Sequence, residues 1–357
     1  MKKDSVAVAL SGGVDSSVAA LLLQKTGYTV IGLTACFLTG RAACRRSAAC
    51  NTQAVSDAAR VCRRLGIPHV AVDLSAEFKN AVIAPFVAEY LSGRTPNPCV
   101  VCNTLMKFGA LRLKARSLGA GFFATGHYCR IERQGGIWQL VKARDRSKDQ
   151  SYFLYGLTQQ QRARTLFPLG AFRKEQVRRM ARENRLPVAH KPESQEACFF
   201  LDRDYRAFIK RQMAGAVSAG PVVDAEGKVL GTHRGFPFYT IGQRQGLGVA
   251  LGYPVYVTAI DPASNRLTVG SRAQASSREC FVRQVRWSIK APQKKIAAKV
   301  RIRYNHKDAK AYIVAAGSKA RIIFAQPQFA VTPGQSAVFY DHDRVLGGGI
   351  IEKAAGQ

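Results

Sequence analysis

Apolar residues in the first half of the chain fall into two alternating patterns. Residues 5–10 form an unbroken, partly β-branched run bounded by polar residues, which predicts a buried strand. Val18, Leu21 and Leu22 then recur at helical spacing. Residues 28–34 predict a second strand, 53–65 a helix, 69–73 a third strand and 76–90 another helical stretch. This alternation predicts an α/β fold with a doubly wound parallel sheet. Residues 39–50 read as an irregular loop containing arginines and cysteines. The rhythm breaks at 92–103, where Pro96 and Pro98 flank Asn97 and predict an extended, rigid loop. A helix follows with Leu105, Phe108, Leu111 and Leu118 at core spacing, then a strand at 122–127. Residues 128–133 and 137–142 predict a hairpin turned by Gln134-Gly135-Gly136, and helices are expected from about 159 and over 174–184.

From Pro221 the texture changes. Short β-type runs at 255–260, 266–269, 282–289, 296–304, 311–314, 321–324 and 336–340 alternate with Gly, Pro, Asp and Asn turns. They predict one or two small β-barrels. Residues 242–248 are too glycine-rich for a strand interior and read as a tight or functional loop. The expected organisation is an α/β domain over 1–213, a central small β domain over 214–277 and a C-terminal β-barrel over 278–357.

The chemistry starts at the first strand–helix turn, Ser11-Gly12-Gly13-Val14-Asp15-Ser16-Ser17. Glycines there let the backbone approach a ligand closely, and the N–H groups and dipole of the following helix favour an anion. The hydroxyls of Ser11, Ser16 and Ser17 add donors, so a phosphate cradle is expected. It is not a Walker A loop, because no Gly-Lys-Ser/Thr follows. Asp15 is a candidate magnesium ligand, with helix capping as the plainer alternative.

Charge narrows the partner. Lys plus Arg number 54 against 23 acidic residues, a net +31, which points to a phosphate backbone. The basic face of 174–185, with Arg178, Arg179, Arg182 and Arg185, suits a phosphate track as well as plain solvation. No apolar run approaches membrane-spanning length, and the first strand begins too early for a signal peptide, so a cytoplasmic protein is expected. Nine cysteines without an export signal do not suggest a disulfide framework. Cys99 and Cys102 form a C-x-x-C, and Cys198 lies about a hundred residues on. A redox pair, a zinc site with His127 as further ligand and an iron–sulfur cluster are all open. Cys36, Cys62, Cys129 and Cys280 sit in apolar or strand-like surroundings and read as buried hydrophobes, while Cys44 and Cys50 are ambiguous.

Taken together, the motifs resemble the tRNA-specific 2-thiouridylases, a family of PP-loop ATP pyrophosphatases. The resemblance runs nearly end to end. It rests on 11–17, on Gly93-Arg94-Thr95-Pro96-Asn97-Pro98 with Cys102-Asn103 and Lys107-Phe108-Gly109, and on Thr125-Gly126-His127-Tyr128. Lys148-Asp149-Gln150-Ser151-Tyr152-Phe153-Leu154, Ser194-Gln195 with Cys198-Phe199, and Tyr239-Thr240-Ile241-Gly242-Gln243-Arg244 with Gly246-Leu247-Gly248 complete it. It implies an adenine-nucleotide α-hydrolase-like domain that binds ATP and magnesium through Ser11, Gly12, Gly13, Val14, Asp15, Ser16, Ser17 and Gly126. It implies that a wobble uridine of tRNA is adenylated on its C2 oxygen. Cys198 would carry a persulfide received from a sulfur-donor protein, and Cys102 would help release it. Asn97, Pro98 and Cys99 would line the target base. His127, Lys148, Asp149, Gln150, Arg303, Tyr304 and Gln335 would contact the tRNA, and a monomer is expected.

Many family members carry Asp where this chain has Cys99. A third thiol admits a second sulfur route, an oxygen-sensitive [4Fe–4S] cluster on Cys99, Cys102 and Cys198. The stretch 37–52 is less acidic than is common in the family, which bears on docking of the donor. Two other functions stand as alternatives, an amidating or ligating PP-loop enzyme and a non-catalytic RNA-binding protein.

Overall fold

The computed structural model describes residues 4–38, 52–193, 198–199, 205–213, 217–249 and 251–355. The loop expected at 39–50, with Cys44 and Cys50, lies outside the described residues, as do Ser194 and Gln195. The chain forms two compact units, one of residues up to 83, 98–203 and 343–345, the other of 84–97, 204–342 and 346 onward.

The first unit is built on a parallel sheet. Strand β1 (Ser5–Ala9) leads into helix α1 (Val14–Lys25), then β2 (Thr29–Cys36), α2 (Thr52–Leu65) and β3 (His69–Asp73). Strands β4 (Phe122–Thr125) and β7 (Thr165–Leu166) complete the order β3-β2-β1-β4-β7, and every pairing is parallel. Val6, Ala7 and Val8 in β1 are fully buried, as an apolar run covered on both faces must be. Burying each such valine contributes about 1.5–3 kcal/mol. Ala58 and Cys62 of α2 and Val177 and Ala181 of helix α3 (Lys174–Glu183) join the same core. The hairpin β5 (Cys129–Gln134) and β6 (Ile137–Lys142) follows β4, and Arg344 pairs with Val141 along its outer strand.

Two readings of this unit are corrected. The predicted loop at 92–103 ends early, because Pro98 opens a helix, Pro98–Val101, that continues as a π-helical run, Cys102–Leu111. A proline at the first helical position loses no hydrogen bond, so Pro98 starts the helix rather than preventing it. The wider π turn also shifts the buried face. Cys102, Met106 and Leu111 point inward, whereas Leu105 and Leu118, expected in the core, are 47% and 37% exposed.

In the second unit, strands β8 (Gly220–Val223), β9 (Val229–His233), β10 (Tyr256–Asp261) and β11 (Arg266–Gly270) form a four-stranded sheet in the order β10-β11-β8-β9. Strands β12 (Ser276–Trp287), β13 (Ile296–Arg301), β14 (Ala309–Ala316), β15 (Lys319–Phe329), β16 (Ser336–Asp341) and β17 (Arg344–Ala354) run in the order β12-β15-β14-β13-β16-β17. Pairing of β12 with β17 closes them into a barrel around Val282, Ile313, Ile322, Phe339 and Ile351. Residues 242–248 form a loop without strand structure, as their glycines suggest.

Candidate active site

Strand order reverses about β1 and β4, so the chain leaves these neighbours on opposite sides and opens a crevice at their carboxyl ends. The serine–glycine loop follows β1 into that crevice and Gly126-His127 follows β4. Gly12 has φ +67°, and a Cβ there would lie 2.6 Å from the Ala54 carbonyl oxygen. A Cβ on Gly126 would lie 2.6 Å from the Ser16 nitrogen. Both positions thus demand glycine. Ser16 and Ser17 donate their hydroxyls to the Gly13 carbonyl at 3.2 and 2.8 Å, and the Ser11 N–H donates to Ser16 Oγ at 3.1 Å. These bonds stiffen the loop, and no side chain caps the start of α1. Its N–H groups and positive dipole end are therefore available to an anion. A cavity of about 230 Å³ lies here, lined by Ser11, Asp15, Ser16, Lys107, His127 and Gln150.

Asp15 does not cap the helix. Its carboxylate accepts hydrogen bonds from Lys174 Nζ, at 2.7 Å to each oxygen, and from the Tyr128 hydroxyl at 3.0 Å. Lys174 also pairs with Glu193 at 2.6 Å, and Glu193 with Lys148 at 2.8 Å. Burial pushes the Glu193 carboxyl up, but hydrogen bonds from Lys148 and Lys174 more than offset this and hold it at about 2. A second clamp holds the loop from the other side: Lys191 Nζ donates to the Gly12 carbonyl at 3.0 Å and to Asp57 at 2.7 Å. Asp15 is the carboxylate at the loop of the kind that magnesium on nucleotide phosphates takes, and an ion there would take over the oxygens now paired with Lys174.

The thiols gather in the same unit. Cys102 is buried, Cys99 and Cys198 are half-buried, and all three are free. Burial pushes each thiol up, Cys99 to about 11, while the charge of Lys107 pulls all three back. Cys99 and Cys102 each also feel Cys198, so the three sulfurs share one electrostatic neighbourhood. Among the described residues, no three His, Cys, Asp or Glu side chains stand close enough together to hold a metal ion. A zinc site with His127 or a cluster on the three cysteines therefore requires the ligands to move. His127 is 8% exposed, shares a 2.6 Å hydrogen bond with Thr125 and is held neutral by burial and the nearby Lys107 charge. Cys62, Cys129 and Cys280 are buried, whereas Cys36, expected with them, is only half-buried at the end of β2.

The remaining candidates are scattered. Asp149 is 3% exposed and accepts from the Ala143 and Ser151 N–H groups and the Ser151 hydroxyl, bonds that fix the chain beneath it. Gln150 accepts from the Tyr128 N–H at 2.9 Å. Pro98 starts the helix that carries Cys99 and Cys102. In the second unit, Gln335 donates to the Thr95 carbonyl at 2.9 Å and so braces the strand of chain that ends at Asn97. There too, Arg303 donates to the Phe329 and Ala330 carbonyls, and Tyr304 sits in the turn after β13. Sequence reasoning missed Lys107, Lys174 and Glu193. Lys107 stood inside a quoted motif, but nothing local marks a lysine as shared between a nucleotide cavity and three thiols. It also missed Asn103, whose buried Oδ1 has no partner among the described residues.

A parallel sheet with an anion-binding serine–glycine loop at its switch point defines the first unit as a PP-loop nucleotide-binding domain, here followed by small β-barrel modules. Family models agree along the chain: a tRNA methyl transferase HUP domain matches residues 4–202, a tRNA methyl transferase PRC-barrel domain 206–271, and an aminomethyltransferase β-barrel domain 277–351. The chain is 46% identical over 352 residues to tRNA-specific 2-thiouridylase MnmA 1 of Syntrophus aciditrophicus, covering 99% of this chain and 94% of that one. It is 46% identical over 361 residues to tRNA-specific 2-thiouridylase MnmA of Moorella thermoacetica, covering 98% and 99%. The chain belongs to the tRNA-specific 2-thiouridylase family.

Proposed function

We propose that this protein is an ATP-dependent tRNA sulfurtransferase that makes 2-thiouridine at the wobble position. The observation that carries this reading is Lys107, which lines the nucleotide cavity and whose charge acts on Cys99, Cys102 and Cys198. Phosphate activation and thiol chemistry meet at one side chain. The loop 11–17 and Gly126 hold ATP; Asp15 would hold a magnesium ion, which would neutralise phosphate charge. The C2 oxygen of a uridine held by Asn97, Pro98 and Cys99 attacks the α-phosphorus and pyrophosphate leaves. A persulfide on Cys198, received from a donor protein, attacks C2 through its terminal sulfur, and the C2–O bond breaks to release AMP. The Cys102 thiolate then attacks Cys198 Sγ. That S–S bond breaks, its electrons stay with the sulfur on C2, and a Cys102–Cys198 disulfide remains. His127, Lys148, Asp149, Gln150, Arg303, Tyr304 and Gln335 belong to the tRNA side of this reading. A loop-borne uridine costs little to unstack.

The experiment is Cys198→Ala with unmodified tRNA and labelled ATP. Pyrophosphate should still form and AMP should stay bonded to the uridine C2 oxygen, while 2-thiouridine is lost. Thiouridine formation by the variant would overturn Cys198 as the sulfur carrier, a product other than thiouridine formed equally by variant and wild type would favour an amidating or ligating relative, and neither pyrophosphate nor AMP from the wild type would favour an RNA-binding protein. The third thiol, Cys99, supports a second sulfur route through a [4Fe–4S] cluster. Iron and acid-labile sulfide measured on protein purified without oxygen separate the two: about four irons per chain, lost in Cys99→Asp, would mean a cluster.

A further inference from the structure

A cavity larger than the one at the nucleotide loop lies elsewhere in the first unit. It measures about 670 Å³ and is bounded by residues 144–148, the start of α3 and Glu193. Its lining holds six basic side chains, three acidic ones and a serine, with no aromatic or aliphatic platform for a base. Such a surface recognises phosphate and nothing else of a nucleotide. Among the described residues, Lys148 and Lys174 are paired to Glu193 and Arg146 to Asp343, but Arg144, Arg173 and Arg178 have no ion-pair partner. Three guanidinium groups thus line the cavity with no carboxylate at ion-pair distance, and Arg144 and Arg178 bracket it from the loop and from α3. The basic surface continues beyond it along α3, where Arg179 and Arg182 are exposed. A closed cup for one small anion would not extend this way.

We propose that this cavity docks consecutive backbone phosphates of the tRNA, with Arg144 and Arg178 as the principal contacts. The proposal rests on the sulfurtransferase reading. Lys148, Glu193 and Lys174 line the cavity and Lys174 pairs onward with Asp15, so a phosphate drawn to Lys148 joins the charge network that ends on the nucleotide loop.

The test compares wild type with Arg144→Gln/Arg178→Gln in tRNA affinity across salt concentrations, with melting temperature as the folding control. Affinity should fall about tenfold, and the slope of log affinity against log salt should shrink by about 2, one per lost phosphate contact. Unchanged affinity and slope would overturn the proposal while leaving the sulfurtransferase reading intact if wild type still thiolates tRNA. Inorganic pyrophosphate is titrated in parallel by calorimetry. Loss of its binding in the variant, with tRNA affinity unchanged, would overturn the proposal and assign the cavity to small polyphosphates. A wild-type chain that binds no tRNA would overturn both readings.

Discussion

Gly126→Ala probes the closest approach in the nucleotide site. The new Cβ would lie 2.6 Å from the Ser16 nitrogen, 2.7 Å from the Asp15 carbonyl carbon and 2.9 Å from the Ser16 Cα, whereas ordinary contact begins near 3.4 Å. All three are backbone atoms in the first turn of α1, pinned by the hydroxyl bonds of Ser16 and Ser17 to Gly13. No flexible side chain can give way, so β4 and the helix start must separate by close to an ångström. Overpacking of this kind costs about 1–3 kcal/mol. In a unit of this size that lowers the melting temperature by roughly 2–10 °C. The functional loss should be larger, because about 1 Å of misplacement at a reacting centre costs on the order of 10²-fold in rate. Single-turnover AMP release with saturating tRNA, alongside calorimetry, measures both effects. Gly13→Ala is the control: its Cβ meets only Ser11 Oγ, at 3.4 Å, on extended backbone at φ −104°, so the melting temperature should move by no more than about 2 °C. Wild-type AMP release by Gly126→Ala would refute the claim that this contact shapes the nucleotide site.

Three further outcomes follow from the site and the barrel. Asp15→Asn should lower AMP formation about 10²-fold or more at standard magnesium, with Lys174 retained by Glu193, and near-normal turnover would rule Asp15 out as a metal ligand. Lys107→Met removes the charge that opposes burial at all three thiols, so the pH profile of single-turnover thiolation should move to higher pH, and an unmoved profile would dismiss its role. His306 is held near 4 by burial and by the Arg303 and Arg301 charges. Because its folded value lies below the ordinary 6.5, the unfolded chain takes up the proton first. The stability it contributes is full above about pH 6.5 and declines as pH falls toward 4. Denaturant titrations at neutral and acid pH should show a smaller acid loss in His306→Gln than in wild type, and equal losses would contradict this.

The elements that were legible in the sequence are those whose burial is uniform. β1 is buried on both faces and α2 on one, so their apolar spacing reports their structure directly. The start of the Pro98 helix was hidden because proline signals a break in one context and a first helical turn in another. Leu105 was read as core, and the burial of Met106 went unread, because a π-helical run does not keep the 3.6-residue period. β17 went unread because Gly347-Gly348-Gly349 carry no pattern. The same glycines let it cross β12, where a Cβ on Gly347 would lie 2.5 Å from the Arg286 carbonyl oxygen. The loop 11–17 announced its chemistry by residue type alone. The Asp15–Lys174 pair did not, since 159 residues separate its members and only the fold brings them together.

Incubation of the wild-type protein with ATP, magnesium, a persulfide donor and unmodified tRNA, followed by nucleoside analysis, tests the account most directly. It predicts 2-thiouridine at the wobble position, AMP formed in step with it, and neither product when ATP is withheld. Thiouridine formed without ATP, or ATP cleaved to AMP with tRNA left unthiolated in the presence of the donor, would contradict it.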